Sequence, residues 1–217
     1  MRSFQRGAIL VCAGLALAAA PGGSPPLHAA TPAVTRVDPA LAHKFVTDLG
    51  AQAISVLRQP GQTLERREAI FRSMLSQKFA LDFIGRFVLG RHWQSLSADQ
   101  QEEYISLFSE YVLSVYASLL GGYVDEQFQV LSVTEAGQYD MLVSSHIIGG
   151  GRDPIRVDWR VRQLDAQPMV IDVAVGGVSM SITQREEYSA VLQRNGVQGL
   201  LEMLRARTLR LPAEGAQ

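Results

Sequence analysis

Cysteine is all but missing from this chain. Cys12 is the one thiol in 217 residues, so no internal disulfide can form. Histidine is scarce too, and His43, His92 and His146 stand at no metal-ligand spacing from one another, which leaves them structural or surface roles rather than a metal site. Lys44 and Lys78 are the only lysines, and 20 Lys+Arg face 21 Asp+Glu, so the basic excess of a nucleic-acid binder is lacking. A nucleophile elbow is lacking as well. Gly177-Val178-Ser179 begins like one, but Ser181 occupies the place of the second glycine, and Ser179 reads instead as a helix cap. What is present is 47% hydrophobic residues in a length suited to one ordinary globular domain. Collagen-like, coiled-coil and disordered compositions are excluded.

Residues 1–30 read as a secretory signal. Arg2 and Arg6 lead an apolar run from Gly7 to Ala20, and the stretch Pro21-Gly22-Gly23-Ser24-Pro25-Pro26 and the small residues Ala29-Ala30 follow. The run is too short for a spanning helix, which needs about 20 residues. Cleavage removes Cys12 with the leader and leaves a net charge near −3 on the exported chain. In an oxidising compartment such a chain holds itself together by core packing alone. No second long apolar run follows, so a soluble exported protein is expected.

Helical spacing marks Pro39 to Gln59, Leu64 to Lys78 and Phe79 to Leu89. Ser97-Ala98-Asp99-Gln100 has the form of a capping box. The helix it opens carries Tyr104, Leu107, Phe108, Tyr111, Val115 and Leu119 on one stripe and Ile105, Val112, Tyr116 and Leu120 on another. A helix this apolar over its girth is expected between two layers. From about Gln127 the period falls to two, and Phe128 to Val133, Tyr139 to Ile148, Ile155 to Leu164 and Met169 to Val175 read as four antiparallel strands joined by short turns. Ile155, Val157, Trp159 and Val161 face one way and Arg156, Asp158, Arg160 and Arg162 the other; Met169, Ile171, Val173 and Val175 are expected on one face of the last strand. Two helices, Ser181 to Arg194 and Val197 to Arg207, close the chain, and 211–217 is a frayed tail. The fold class is α+β: a helical layer packed on a four-stranded antiparallel sheet.

No catalytic set emerges. Asp158 and Asp172 lie on polar strand faces, but nothing in the spacing forces them together. Arg152, Arg156, Arg160 and Arg162 form a possible basic stripe, with alternate residues about 7 Å apart. It suits docking to an acidic partner or to lipid phosphates; a solvated outer face is the plainer reading. A wide apolar helix facing a one-sided sheet either fills the interior or encloses a cavity, and periodicity does not distinguish the two.

The run Phe79-Ala80-Leu81-Asp82-Phe83-Ile84-Gly85-Arg86-Phe87-Val88-Leu89-Gly90, then Trp93, then Ser97-Ala98-Asp99-Gln100-Gln101, resembles the MlaC/toluene-tolerance family of periplasmic lipid carriers. The likeness continues through the Tyr104 to Tyr123 helix, Val170-Ile171-Asp172-Val173, Gly177-Val178-Ser179, Arg185 and Tyr188, and spans about Leu41 to Arg207. It departs from the family pattern at Gly176 and at Ile182-Thr183-Gln184. The resemblance implies one lipid-binding domain over 31–210, with a curved sheet under a helical layer and acyl chains held in an apolar cavity between them. It implies a carrier, not an enzyme, exchanging glycerophospholipid between an outer-membrane lipoprotein complex and an inner-membrane ABC transporter complex in support of outer-membrane lipid asymmetry.

On that reading Phe108, Val112, Val115, Tyr116 and Leu119 of the long helix are candidate lining residues. Met141, Val143, Ile155, Val157, Trp159, Ile171 and Val173 join them from the strands. The arginine stripe is the candidate docking surface, and neither metal nor cofactor is expected. Three alternatives stay open: a hopanoid-associated carrier of the same family, an isomerase-like α+β enzyme for a small apolar substrate, and an adaptor with a solid core.

Overall fold

Asp38 starts the described fold by capping a helix. Its Oδ1 accepts the backbone N–H groups of Ala40 (2.8 Å) and Leu41 (3.1 Å), and Pro39 takes the first helical position, where its missing N–H costs nothing. The computed structural model describes residues 36–121, 126–149 and 153–209. The expected leader, Arg152 and the tail lie outside them.

The elements in order are α1 (Pro39–Arg58), α2 (Leu64–Lys78), α3 (Leu81–Leu89), a 3-10 turn (Gly90–Ser95) and α4 (Ala98–Gly121). Then come β1 (Gln127–Ala136), β2 (Asp140–Ile148), β3 (Ile155–Leu164), β4 (Gln167–Val175), β5 (Val178–Ser179) and α5 (Met180–Leu209). The capping box before α4 forms reciprocally: Ser97 N–H donates to Gln100 Oε1 at 3.0 Å, and Gln100 N–H donates to Ser97 Oγ at 3.3 Å. α5 is two helical segments that meet at Gly196, whose φ of 66° breaks the helical path. The segments fold back on each other, with Arg207 donating to Glu187 Oε1 at 2.5 Å.

The sheet has five strands in the order β1-β2-β3-β4-β5, every pair antiparallel. The sequence marked four. The fifth has only two residues, too few to show a period. Ser179 does cap the helix that follows: its Oγ accepts the Ile182 N–H at 3.1 Å and donates to Asp172 Oδ2 at 2.6 Å. Phe79, expected as the first residue of α3, instead bridges to Val170 at the same edge of β4, and Ala80 N–H donates to the Val170 carbonyl at 2.9 Å.

A second correction concerns β4. The register shifts between Arg160 and Val161, where β4 contributes Ile171 as an extra residue. The bulge turns Val170 rather than Ile171 into line with Val161, so strict alternation over 169–175 fails. β1 carries a similar irregularity at Leu131.

The buried core is in three parts. Val88, Leu89, Tyr104, Phe108, Tyr188, Leu192, Leu200, Leu201 and Leu204 make an all-helical core of α3, α4 and α5. Val37, Ala42 and Val46 pack on Met141, Val143 and Val161 of the sheet. Val56, Phe71 and Ala117 join α1, α2 and α4. α4 is therefore apolar all round because it packs on α2, α3 and α5. α1 is the helix that lies closely on the sheet.

Burial in the helical core pushes the phenols of Tyr104 and Tyr188 far above their ordinary range. In the unfolded chain both ionise near pH 10. Above that pH the unfolded chain binds fewer protons than the folded one, so stability must fall as pH rises. The expected slope is about 1.4 kcal/mol per pH unit for each phenol. Urea unfolding at successive alkaline pH values checks it, and the Tyr104→Phe, Tyr188→Phe double variant should flatten it.

Candidate functional site

The pairings of β2, β3 and β4 define the inner face of the sheet. Met141, Val143, Ser145 and Ile147 stand opposite Val161, Trp159, Val157 and Ile155, and Val173 and Val175 continue the rows from Trp159 and Val157. Ser145 is the one polar residue in this set. Its hydroxyl donates to the Val157 carbonyl at 3.0 Å and accepts the Trp159 Nε1–H at 2.8 Å, so no polar atom there is left unpaired.

Burial divides this face. Met141, Val143 and Val161 are at most 1% exposed and packed solid under α1. Ile147, Ile155, Trp159 and Val173 are only half-buried, and Val175 is 40% exposed. Val112, Val115 and Tyr116 of α4 are half-buried as well. Tyr116 lies close enough to β4 for Asp172 to act on it: burial first, then Tyr111 and Asp172, raise its phenol pKa. Val175 and Val178 pair across β4 and β5, and both are exposed at the open end. Two recesses of about 550 and 380 Å³ lie elsewhere, between α3 and α5 and between α1 and α2. Neither is the helix–sheet cavity that the resemblance implies.

The structure therefore sorts the expected lining residues. Val112, Val115, Tyr116, Ile155, Trp159 and Val173 keep partial exposure. Val157 is nearly covered at 4%, and Leu119 is 60% exposed. Four others are corrected. Phe108 is 1% exposed, stacked on Tyr104 at 5.7 Å and met edge-on by Tyr188 at 6.4 Å, so it belongs to the solid helical core. Met141 and Val143 lie under α1 in the filled part of the sheet. Ile171 is the bulge residue of β4, at 5% exposure. Phe79, Phe128 and Gly50 were missed. A Cβ at Gly50 would run into the Phe128 ring, so the glycine lets that ring lie against α1.

The outer face is a charge network rather than a row of free cations. Arg160 Nε and Arg162 Nε donate to the two oxygens of Asp140 at 2.7 and 2.5 Å. Arg156 Nε donates to both oxygens of Asp158, and the Ser144 hydroxyl donates to Asp158 Oδ1 at 2.5 Å. Both carboxylates are buried, with 2% and 9% of their side chains exposed. Arg162 also lies over the Phe83 ring at 4.9 Å. Spacing along the chain does not reveal Asp140 as the partner of Arg160 and Arg162, because only the β2–β3 register brings it opposite Arg162.

Comparison with known proteins fits this architecture. The MlaC protein family model matches residues 47–206. The chain belongs to the MlaC family. Within reach of it, the intermembrane phospholipid transport system binding protein MlaC of Haemophilus influenzae is 27% identical over 164 residues, covering 74% of this chain and 75% of the relative. The solved structure of a phospholipid-binding protein from Ralstonia solanacearum, in complex with a phospholipid, has a TM-score of 0.65 at 21% identity. It covers 80% of this chain and 97% of its own. At that identity the likeness shows the family fold, helices on an antiparallel sheet, and no more. Among the described residues no helix is long and apolar enough to cross a membrane.

Proposed function

We propose that the protein carries glycerophospholipid between membranes, holding the acyl chains against the inner face of β3 and β4 and under the Val112–Tyr116 stretch of α4. The observation that carries the reading is the division of the inner face: one half filled by α1, the other, Ser145 and Val157 apart, apolar and only half covered. The phospholipid transport role of the Haemophilus relative and the phospholipid bound by the Ralstonia neighbour support it.

The physics is an exchange of environments. Each methylene moved into water costs about 0.8 kcal/mol, so two chains of roughly sixteen carbons lose on the order of 25 kcal/mol in open water. A bilayer shelters them equally well, so the protein needs only a comparably dry surface and no chemical step. Among the described inner-face residues of β2 to β4 none is ionisable, and the one ionisable group proposed over them, the Tyr116 phenol, is held more firmly protonated by burial, so no general base faces the site for an isomerase-like reaction. An exported, periplasmic carrier loading from and delivering to an outer-membrane lipoprotein complex and an inner-membrane ABC transporter complex completes the proposal. The arginine stripe supports docking less than its sequence suggested, because Asp140 and Asp158 already hold its guanidiniums.

Native mass spectrometry of the purified protein tests the reading. Two-chain phospholipid should accompany it. A lipid-free protein that also takes no lipid from vesicles overturns it, and a bound hopanoid would move it to the other carrier branch.

A further inference from the structure

We infer that Trp159 is the back wall of the lipid site and limits how much of an acyl chain the protein can shelter. The inference rests on the carrier reading above and adds a determinant of chain length to it.

Three aromatic rings cross the inner face in a row. Phe128 of β1 meets Trp159 edge-on with ring centres 6.0 Å apart, and Phe79 beside β4 meets it from the other side at 6.5 Å. Each ring is fixed by something outside the row. Phe128 lies against the bare backbone of Gly50 in α1. Phe79 is held by the bridge to Val170. The indole N–H of Trp159 donates to Ser145, whose hydroxyl is fully buried and donates in turn to the Val157 carbonyl. The indole thereby uses its one donor within the sheet and offers a neighbouring hydrocarbon chain no unpaired polar group.

Packing changes across this row. On the side of Met141 and Val161 the sheet is sealed under α1. Val173, level with Trp159, and Ile155 beyond it are half-buried, Val157 between Trp159 and Ile155 is covered, and Val175 at the end is exposed. A chain entering from the open end meets the aromatic row before it reaches the filled core. Chains longer than that distance leave methylenes wet, and each wet methylene lowers the relative affinity about fourfold. The row therefore acts as a stop that discriminates by length.

The test presents the protein with vesicles of mixed phosphatidylglycerol species of graded saturated chain length and reads the bound masses. Wild type should show an upper limit of chain length. Trp159→Phe keeps an aromatic ring in the row but shortens it, and should move that limit to longer species, enriching them about fourfold per methylene newly sheltered. Trp159→Ala should move it further, but Trp159→Phe decides, since it opens the smaller void. Ser145→Ala keeps all three rings and removes only the anchor; it should broaden the length distribution and, in a Trp93→Phe background, shift the Trp159 emission. If wild type loads lipid and neither Trp159→Phe nor Ser145→Ala changes the length distribution, the stop is overturned and the carrier reading stands. If wild type loads none of the species, the carrier reading falls and this inference falls with it.

Discussion

A Val173→Glu protein is expected to fold and to leave purification with at least tenfold less bound lipid than wild type. Val173 pairs with Trp159 across β3 and β4 and is half-buried on the open part of the inner face. Without lipid, a glutamate there can turn its carboxylate to water, so the folded state loses little. With acyl chains lying over β4 the carboxylate must be buried without a partner or protonated. An unpaired buried polar group costs about 1–3 kcal/mol and a charged one more, while about 1.4 kcal/mol is a factor of ten in affinity. Native mass spectrometry reads the lipid load, and circular dichroism during heating shows whether the fold is kept. Val143→Glu provides the contrast. That side chain is wholly buried under Val46 and its neighbours, so the same substitution should unfold the protein instead of emptying it. An undiminished load in Val173→Glu would remove β4 from the site.

That contrast also shows where reading the sequence reaches its limit. A residue lining a hollow and a residue filling a core are both apolar and both keep the period of their element. Phe108, Met141 and Val143 therefore looked the same as Val112, Ile155 and Val173. What separates them is which helix covers them, α1 over Met141 and Val143 on the β1–β2 half of the sheet and α3 and α5 around Phe108, and no local pattern encodes that. The girth of α4 misled in the same way. Its two apolar stripes reported burial as far as Tyr116, although Leu119 is exposed, and the partners are helices on both sides rather than helix and sheet.

Signals confined to a few residues survived better. The Ser97–Gln100 box, the start and stop of α2 and the bounds of β3 were legible because each depends on chemistry within one turn or one strand. The β4 bulge was not legible. Period-two alternation assumes one residue per step, and an inserted residue exchanges the faces on one side of it without any change in composition. Val170 is buried for that reason, although the alternation placed it outward. Ser145 was overlooked because a serine within an apolar run reads as noise until its two hydrogen bonds are seen. A shared carboxylate opposite two arginines requires the β2–β3 register, which pairs Asp140 with Arg162, and sequence spacing alone does not supply it.

The same register makes Asp140 the residue whose loss should weaken the fold most among the charges of the outer face. Asp140→Ala is expected to cost about 3 kcal/mol, the low end for breaking a buried pair from one side, because Arg160 is 45% exposed and can recover water while Arg162, at 21%, largely cannot. In a chain of this length that is roughly a 10 °C drop in melting temperature. Asp48→Ala is the control. It breaks the exposed i, i+4 pair with Lys44 and should change stability by less than about 0.5 kcal/mol. The deficit in Asp140→Ala arises from the cations left behind rather than from the attraction lost. Replacing Arg162 by methionine as well should therefore recover part of it, as its side chain can keep its place beside the Phe83 ring without a charge to neutralise. Equal stability of Asp140→Ala and wild type in urea would mean that the outer arginines are held by solvent, not by this carboxylate, and would restore them as free cations for docking.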